Sequence, residues 1–240
     1  MSGDAWNPAK LTGDELAARL RLIVITDRRI ARPREVGDVV EAVLSAGAPA
    51  VQLRENALPP RDVLPLARRL RAATRSAGAL FFLNDRLDLA LAAAADGVHL
   101  GPDDLPVAAA RRITPPGFLI GYSADKPATA RAAIAAGADY IGCGAVFPTS
   151  TKRDAGSVIG LDGLAAVVRA VAAPVVGIGG ITPARAPEVF RAAVAGCAVV
   201  RAVMAAPDPG RAVGAFLAAA GIEGKQRIGG RLHASGAPDP

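Results

Sequence analysis

The sequence predicts an α/β fold: a single (β/α)8 TIM barrel of parallel strands with an extra N-terminal helix. Three observations carry that expectation, namely eight short β-rich runs, helical patterns between them, and glycines that punctuate the helix ends. A length of 240 residues suits one domain, which would bury roughly 70–75% of the surface its unfolded chain exposes.

Residues 1–20 read as a helical extension ahead of the first strand, and residues 21–220 as the barrel. The strands are Leu22–Thr26, Ala50–Arg54, Leu80–Asn84, Gly97–Leu100, Phe118–Tyr122, Tyr140–Gly144, Pro174–Ile178 and Cys197–Arg201. Their near-continuous apolar character marks a parallel sheet covered by helices on its outer face. The clearest helix is Arg61–Ala77, where Val63, Leu66, Ala67 and Leu70 recur at i, i+3, i+4 and i+7 while Arg68, Arg69, Arg71 and Arg75 fall elsewhere. Helix ends are marked at Ala46-Gly47-Ala48, Ala77-Gly78-Ala79, Ala136-Gly137-Ala138 and Ala195-Gly196-Cys197, because a helix C-cap often needs positive φ. A doubly wound open sheet is the alternative for the same alternation. Residues 221–240, rich in Gly and Pro with scattered charge, read as a disordered tail.

Composition narrows the function. Apolar residues make up 51% of the chain and charged residues 21%, which excludes disorder. The longest uncharged stretch, Ala170–Ala184, contains Gly and Pro and is shorter than the roughly 18 residues of a membrane span. Asp4, Asp14 and Glu15 interrupt the first twenty residues, so no secretory signal is expected. Cys143 and Cys197 cannot form a disulfide scaffold, and the expected compartment is a reducing cytoplasm. The net charge is +6, but the cations are scattered and aromatic residues are only 4%, which argues against nucleic acid. Anionic small molecules are the expected partners.

In a barrel, function belongs at the C-terminal ends of the strands. The polar groups crowd there: Gln52-Leu53-Arg54-Glu55-Asn56, Asn84-Asp85-Arg86, Asp103-Asp104, Ser123, Thr149-Ser150-Thr151-Lys152, Gly177-Ile178-Gly179-Gly180 and Val200-Arg201. The strand entrances are turns of Ala, Gly and Pro. Asp85 and Asp104, or Asp103 in place of Asp104, leave neighbouring strands and offer the oxygen ligands Mg2+ takes. Either Asp alone could instead cap the helix that follows. The glycines after strand seven let backbone N–H groups approach an anion, with Arg201 one strand on. Arg54 emerges from a run, Val51-Gln52-Leu53, that is expected to be barrel interior, and so calls for an anionic partner. His99, Cys143 and Cys197 read as core residues. With no Ser–His or Cys–His pair evident, the rim would act by positioning and charge stabilisation on two anions held together.

Val51-Gln52-Leu53-Arg54-Glu55, Asn84-Asp85-Arg86, Gly97-Val98-His99-Leu100-Gly101 with Asp104, Gly121-Tyr122-Ser123, Pro148-Thr149-Ser150-Thr151-Lys152 and Gly177-Ile178-Gly179-Gly180-Ile181 resemble, in order, the motifs of the thiamine-phosphate synthase family. The match spans about Leu22 to Asp208. The resemblance implies a transferase of thiamine biosynthesis on a (β/α)8 barrel. Such an enzyme joins 4-amino-5-hydroxymethyl-2-methylpyrimidine diphosphate to thiazole monophosphate with Mg2+. Residue by residue, it implies that Gln52, Leu53, Arg54, Glu55, Asn56, Asn84, Ser123 and Lys152 hold the pyrimidine diphosphate. It assigns Thr149, Ser150, Thr151, Gly180, Val200 and Arg201 to the thiazole phosphate and Asp85 and Asp104 to Mg2+, with Arg54, Lys152 and Ser123 carrying the chemistry. Three positions depart from the family pattern: Asn56 stands where Lys is usual, Arg201 where a small hydroxyl residue is usual, and Asp125 where His is common. The rival readings are a thiazole tautomerase of the same fold and a non-catalytic barrel that binds phosphorylated ligands.

Overall fold

A computed structural model describes residue 11 and residues 13–151 and 157–221. The chain begins with helix α1 (Gly13–Arg19), strand β1 (Leu22–Ile25), helices α2 (Arg28–Ala31) and α3 (Val36–Ser45), and strand β2 (Ala50–Leu53). There follow α4 (Pro60–Ala77), β3 (Leu80–Asn84), α5 (Leu87–Ala92), β4 (Gly97–Leu100), α6 (Val107–Ile113), β5 (Leu119–Ser123), α7 (Pro127–Ala135) and β6 (Tyr140–Cys143). The chain continues through α8 (Gly160–Ala170), β7 (Val175–Ile178), α9 (Ala186–Arg191), β8 (Gly196–Val199), α10 (Arg201–Met204) and α11 (Pro209–Ala219). All neighbouring strands are parallel, and β8 pairs back onto β1 with Leu22 opposite Cys197 and Val24 opposite Val199. The sheet is therefore a closed barrel, not an open doubly wound one. The N-terminal helix is present as α1. The remainder of the expected extension, residues 1–10 and 12, and the expected tail beyond residue 221 lie outside the described residues.

Alternation along each strand divides the interior in two. Leu22, Val24, Val51, Leu53, Phe81, Leu83, Val98, Ile120 and Ile141 pack outward into the helix layer. Ile23, Ile25, Ala50, Leu80, Phe82, Leu119, Tyr140, Val176 and Ala198 fill the barrel itself, and Leu16 and Leu20 close it from below. The expectation that Val51-Gln52-Leu53 is all barrel interior is thus corrected. Only Gln52 belongs to the inner face, since a run buried on both sides still alternates in direction.

The helices follow from their sequences. In α4, Pro60 occupies the first turn, where its missing N–H costs nothing, and Gly78 ends the helix at φ 69. Val63, Ala67, Leu70 and Thr74 form its buried face. Gly47 and Gly137 also have positive φ, as the punctuation predicts. Gly196 does not. It lies within β8, and the left-handed turn falls on Ala193 at φ 59. Glycine is needed at 196 for another reason: a Cβ there would lie 1.9 Å from the carbonyl oxygen of Leu20, at the end of the segment that closes the barrel.

Two strand entrances carry the same tether. Asp96, just before β4, accepts from the backbone N–H of Phe81 at 2.8 Å and from Arg71 at 2.9 Å. Asp139, just before β6, accepts from the N–H of Ile120 at 2.7 Å and from Arg111. Each carboxylate locks its strand to the preceding one at the end opposite the predicted site.

Candidate active site

The expected site residues that are described lie at or just beyond the C-terminal ends of the strands, at one rim. Gln52 is buried on the inner face of β2, and its amide donates to Asn84 Oδ1 at 2.9 Å. That bond ties the exits of β2 and β3 together. Leu53 points outward into the helix layer, so it can offer only backbone groups to a ligand in the mouth. Asn56 is exposed on the loop beyond.

Arg54 has the anionic neighbour its position demands, Asp27, with Nη1 3.6 Å from Oδ2. Glu55 is held within the protein: its Oε2 accepts from Arg28 Nε at 2.8 Å and its Oε1 from the N–H of Ala57 at 3.0 Å. Thr26 and Asp27, both buried, form the exit of β1 and were not among the residues expected from the sequence. The signal that could have found them is the polar pair Thr26-Asp27 ending the apolar run Leu22–Ile25.

Asp85 and Asp104 follow β3 and β4, which are paired in the sheet. Asp85 adopts φ 63, a left-handed conformation that is uncommon outside Gly and clusters at functional sites. Its backbone N–H donates to the carbonyl of His99 at 2.8 Å. Asp104 Oδ2 accepts from the N–H of Gly101 at 2.6 Å, and its other oxygen has no hydrogen-bond partner among the described residues. Neither is the N-cap of a helix, the alternative role considered for them: α5 and α6 are preceded by Arg86 and Pro106. Asp103 is exposed and Asp104 half-buried. Among the described residues there is no cluster of three or more His, Cys, Asp or Glu suited to a metal.

Ser123 ends β5 and lies inside the strand, not after it. Its Oγ is 3.0 Å from His99 Nε2, and His99 Nδ1 is 3.1 Å from the hydroxyl of Tyr140. Two glycines make room for this column. A Cβ on Gly121 would lie 2.2 Å from Tyr140 Cζ, and one on Gly142 would lie 2.8 Å from His99 Cε1. Sequence reasoning placed His99 in the core and missed that its second ring nitrogen reaches a site residue. Burial drives the Tyr140 hydroxyl's pKa far upward, so it stays neutral as a hydrogen-bonding group.

The exits of β6 and β7 continue as a ladder beyond the strands. Val146 N–H donates to the carbonyl of Ile178 at 2.9 Å and Phe147 N–H to that of Gly179 at 3.1 Å. Gly179 and Gly180 take φ 99 and 64, and a Cβ on Gly180 would lie 2.6 Å from the carbonyl of Pro148. Arg185 fastens the turn, donating to the carbonyl of Gly180 at 3.1 Å while its guanidinium lies 4.8 Å from the centre of the Phe147 ring. Thr149 accepts from the N–H of Thr151 at 3.3 Å, and Ser150 is exposed. Lys152 lies outside the described residues. Val200 is half-buried against both interior clusters, and Arg201 is exposed as the first residue of α10. Cys143 and Cys197 are buried free thiols, as expected.

The arrangement presents cationic and amide donors on the β2–β3 side, two carboxylates on the β3–β4 side and a turn of two positive-φ glycines after β7. A family model described as "Thiamine monophosphate synthase" matches residues 22–203. The thiamine-phosphate synthase of Methanoculleus marisnigri is 47% identical over 207 residues, covering 85% of this chain and 98% of that protein. A thiamine biosynthesis bifunctional protein ThiM/ThiE of Symbiobacterium thermophilum is 55% identical over 180 residues; the match covers 75% of this chain and 38% of the longer protein. Among solved structures, thiamine phosphate pyrophosphorylase from Pyrococcus furiosus superposes with a TM-score of 0.80 at 43% identity, covering 87% of this chain and all of that one.

Proposed function

Because this chain belongs to the thiamine monophosphate synthase family, we propose that its rim joins 4-amino-5-hydroxymethyl-2-methylpyrimidine diphosphate to thiazole monophosphate, yielding thiamine phosphate and diphosphate. The activity is that of thiamine-phosphate synthase, a transferase of thiamine biosynthesis. The observation that carries the assignment of residues is the gathering, at one end of the barrel, of Arg54, Asn84, Asp85, Asp104, Ser123 and the Gly179-Gly180 turn.

Arg54, Asn84 and Ser123 hold and orient the pyrimidine diphosphate, with Gln52 fixing the Asn84 amide. Glu55 and Asn56 shape the loop beside it, and Leu53 contributes backbone only. Lys152 belongs with the diphosphate by its place in the sequence motif. The backbone N–H groups of the Gly180 turn, with Thr149, Ser150, Thr151 and Val200, hold the thiazole phosphate, and Arg201 adds a cation at the edge of that subsite. The methylene–oxygen bond breaks with its electron pair leaving on the diphosphate, and the thiazole nitrogen lone pair forms the new carbon–nitrogen bond. No proton moves, so no general base is required. The charge that develops on the departing oxygens is met by Arg54, whose guanidinium matches phosphate geometry.

Asp85 and Asp104 fit Mg2+: two oxygen donors at adjacent strand exits suit an ion that keeps waters and shares substrate phosphate oxygens. Bound there, Mg2+ would neutralise charge on the leaving diphosphate. Among the described residues no helix is long and apolar enough to cross a membrane, and two free thiols agree with a reducing cytoplasm.

Incubation with both phosphorylated substrates and Mg2+ tests the reading. Thiamine phosphate and free diphosphate should appear and should vanish with chelator. Isomerised thiazole alone would identify a tautomerase instead, and binding without turnover a non-catalytic barrel.

A further inference from the structure

Three consecutive residues at the exit of β1, Thr26, Asp27 and Arg28, grip the exit of β2. Thr26 Oγ1 accepts from the backbone N–H of Arg54 at 3.0 Å. Asp27 faces the Arg54 guanidinium at 3.6 Å, and Arg28 pairs with Glu55 at 2.8 Å. The two ion pairs are crossed in polarity, with acid to base in one and base to acid in the next, which sets the register of the two loops as well as their distance.

Asp27 is the pivot. Its side chain is only 4% exposed, and Oδ1 is occupied by the N–H groups of Arg29 at 2.9 Å and Ile30 at 3.2 Å. Oδ2 is left for cations. Of its two neighbours, Arg29 at 3.7 Å has a side chain 74% exposed and is screened by water, whereas the Arg54 side chain is 22% exposed. A buried carboxylate requires a partner, and Arg54 is the one that supplies it. One terminal nitrogen of the guanidinium then faces Asp27. Its Nε and other terminal nitrogen have no protein partner among the described residues.

We infer that Asp27 is a positioning residue for the transfer: its carboxylate orients the Arg54 guanidinium so that the remaining donors face the diphosphate. The inference rests on the reading above that Arg54 binds that group.

Asn caps a helix as well as Asp does, so Asp27→Asn keeps the Oδ1 contacts and removes only the charge. Loss of orientation should raise KM for the pyrimidine diphosphate and lower kcat, together on the order of tenfold in kcat/KM. KM for the thiazole phosphate should stay unchanged. Unaltered constants for the pyrimidine diphosphate, or an equal rise in both KM values, would overturn the inference. Arg54→Lys separates the two levels of the argument. If that variant keeps wild-type kinetics, Arg54 does not bind diphosphate and both readings fall. If it is defective while Asp27→Asn is normal, only the role of Asp27 falls. In the Asp27→Asn/Arg54→Lys double variant the losses should be less than multiplicative, and full multiplication would count against coupling. Should Asp27→Asn melt below the assay temperature, binding of inorganic diphosphate to Asp27→Ser in the cold reads the same contact: weakened binding supports the role and unchanged binding removes it.

Discussion

His99 Nε2 lies 3.0 Å from Ser123 Oγ, which joins the centre of the barrel to its rim through one imidazole. The other ring nitrogen meets the buried hydroxyl of Tyr140, so the ring is gripped from both sides. Because each partner is a hydroxyl, either tautomer can satisfy the column.

Gly142→Ala probes this column without touching Ser123. The new methyl would sit 2.8 Å from His99 Cε1, so the ring must shift. Loss of one oriented hydrogen bond amounts to about 1 kcal/mol, a factor of roughly five in kcat/KM. Steady-state kinetics with varied pyrimidine diphosphate should show that loss, and Ser123→Ala should mask it.

Asp85→Gly should separate activity from stability. Its φ of 63 suits Gly without strain, whereas a non-Gly residue there carries a cost of order 1 kcal/mol. Turnover should collapse, and no Mg2+ concentration should restore it. The melting temperature should stay within about 4 °C of the parent, read by calorimetry.

Asp96 should leave a trace in the pH dependence of stability. Burial raises its pKa above the ordinary 3.8, more than the opposing pull of Arg71 lowers it. The folded state therefore binds this proton more tightly than the unfolded chain does. The resulting stabilisation is complete below the ordinary value and is lost as pH rises through the raised one. Asp96→Asn cannot ionise, so its unfolding free energy relative to the parent should improve between pH 3 and pH 7 in urea titrations. A difference that is flat or worsens across that range would contradict the shift.

Cys143 and Cys197 should resist alkylation in the folded protein. Burial pushes both thiols up to about 12, so the reactive thiolate is scarce near neutrality. Iodoacetamide at pH 8 should label neither site until denaturant is added, as followed by intact mass.

The barrel was legible in the sequence because its signal is repetitive: all eight strands and the glycine stops at 47, 78 and 137 recur where the pattern sets them. Gly196 misled because the same letters served a different need, the close approach of the Leu20 carbonyl. The rim residues were legible because polar groups at the ends of apolar runs stand out. What escaped was contact between distant exits. No local pattern says that Asp27 meets Arg54, or that a histidine inside β4 reaches the last residue of β5, since both depend on barrel closure.

Leu16 and Leu20 give the barrel a floor, above which the axis passes from pure hydrocarbon through Tyr140 and His99 to the amides and hydroxyl at the top. Among the described residues, the lower part of the barrel is thus packed with apolar side chains, which disfavours solvent approaching the rim from beneath. On the proposed assignment of the rim, water competing with the thiazole nitrogen would then come by the open mouth that admits the substrates, and a seated second substrate would also serve as the stopper that keeps the first from being hydrolysed.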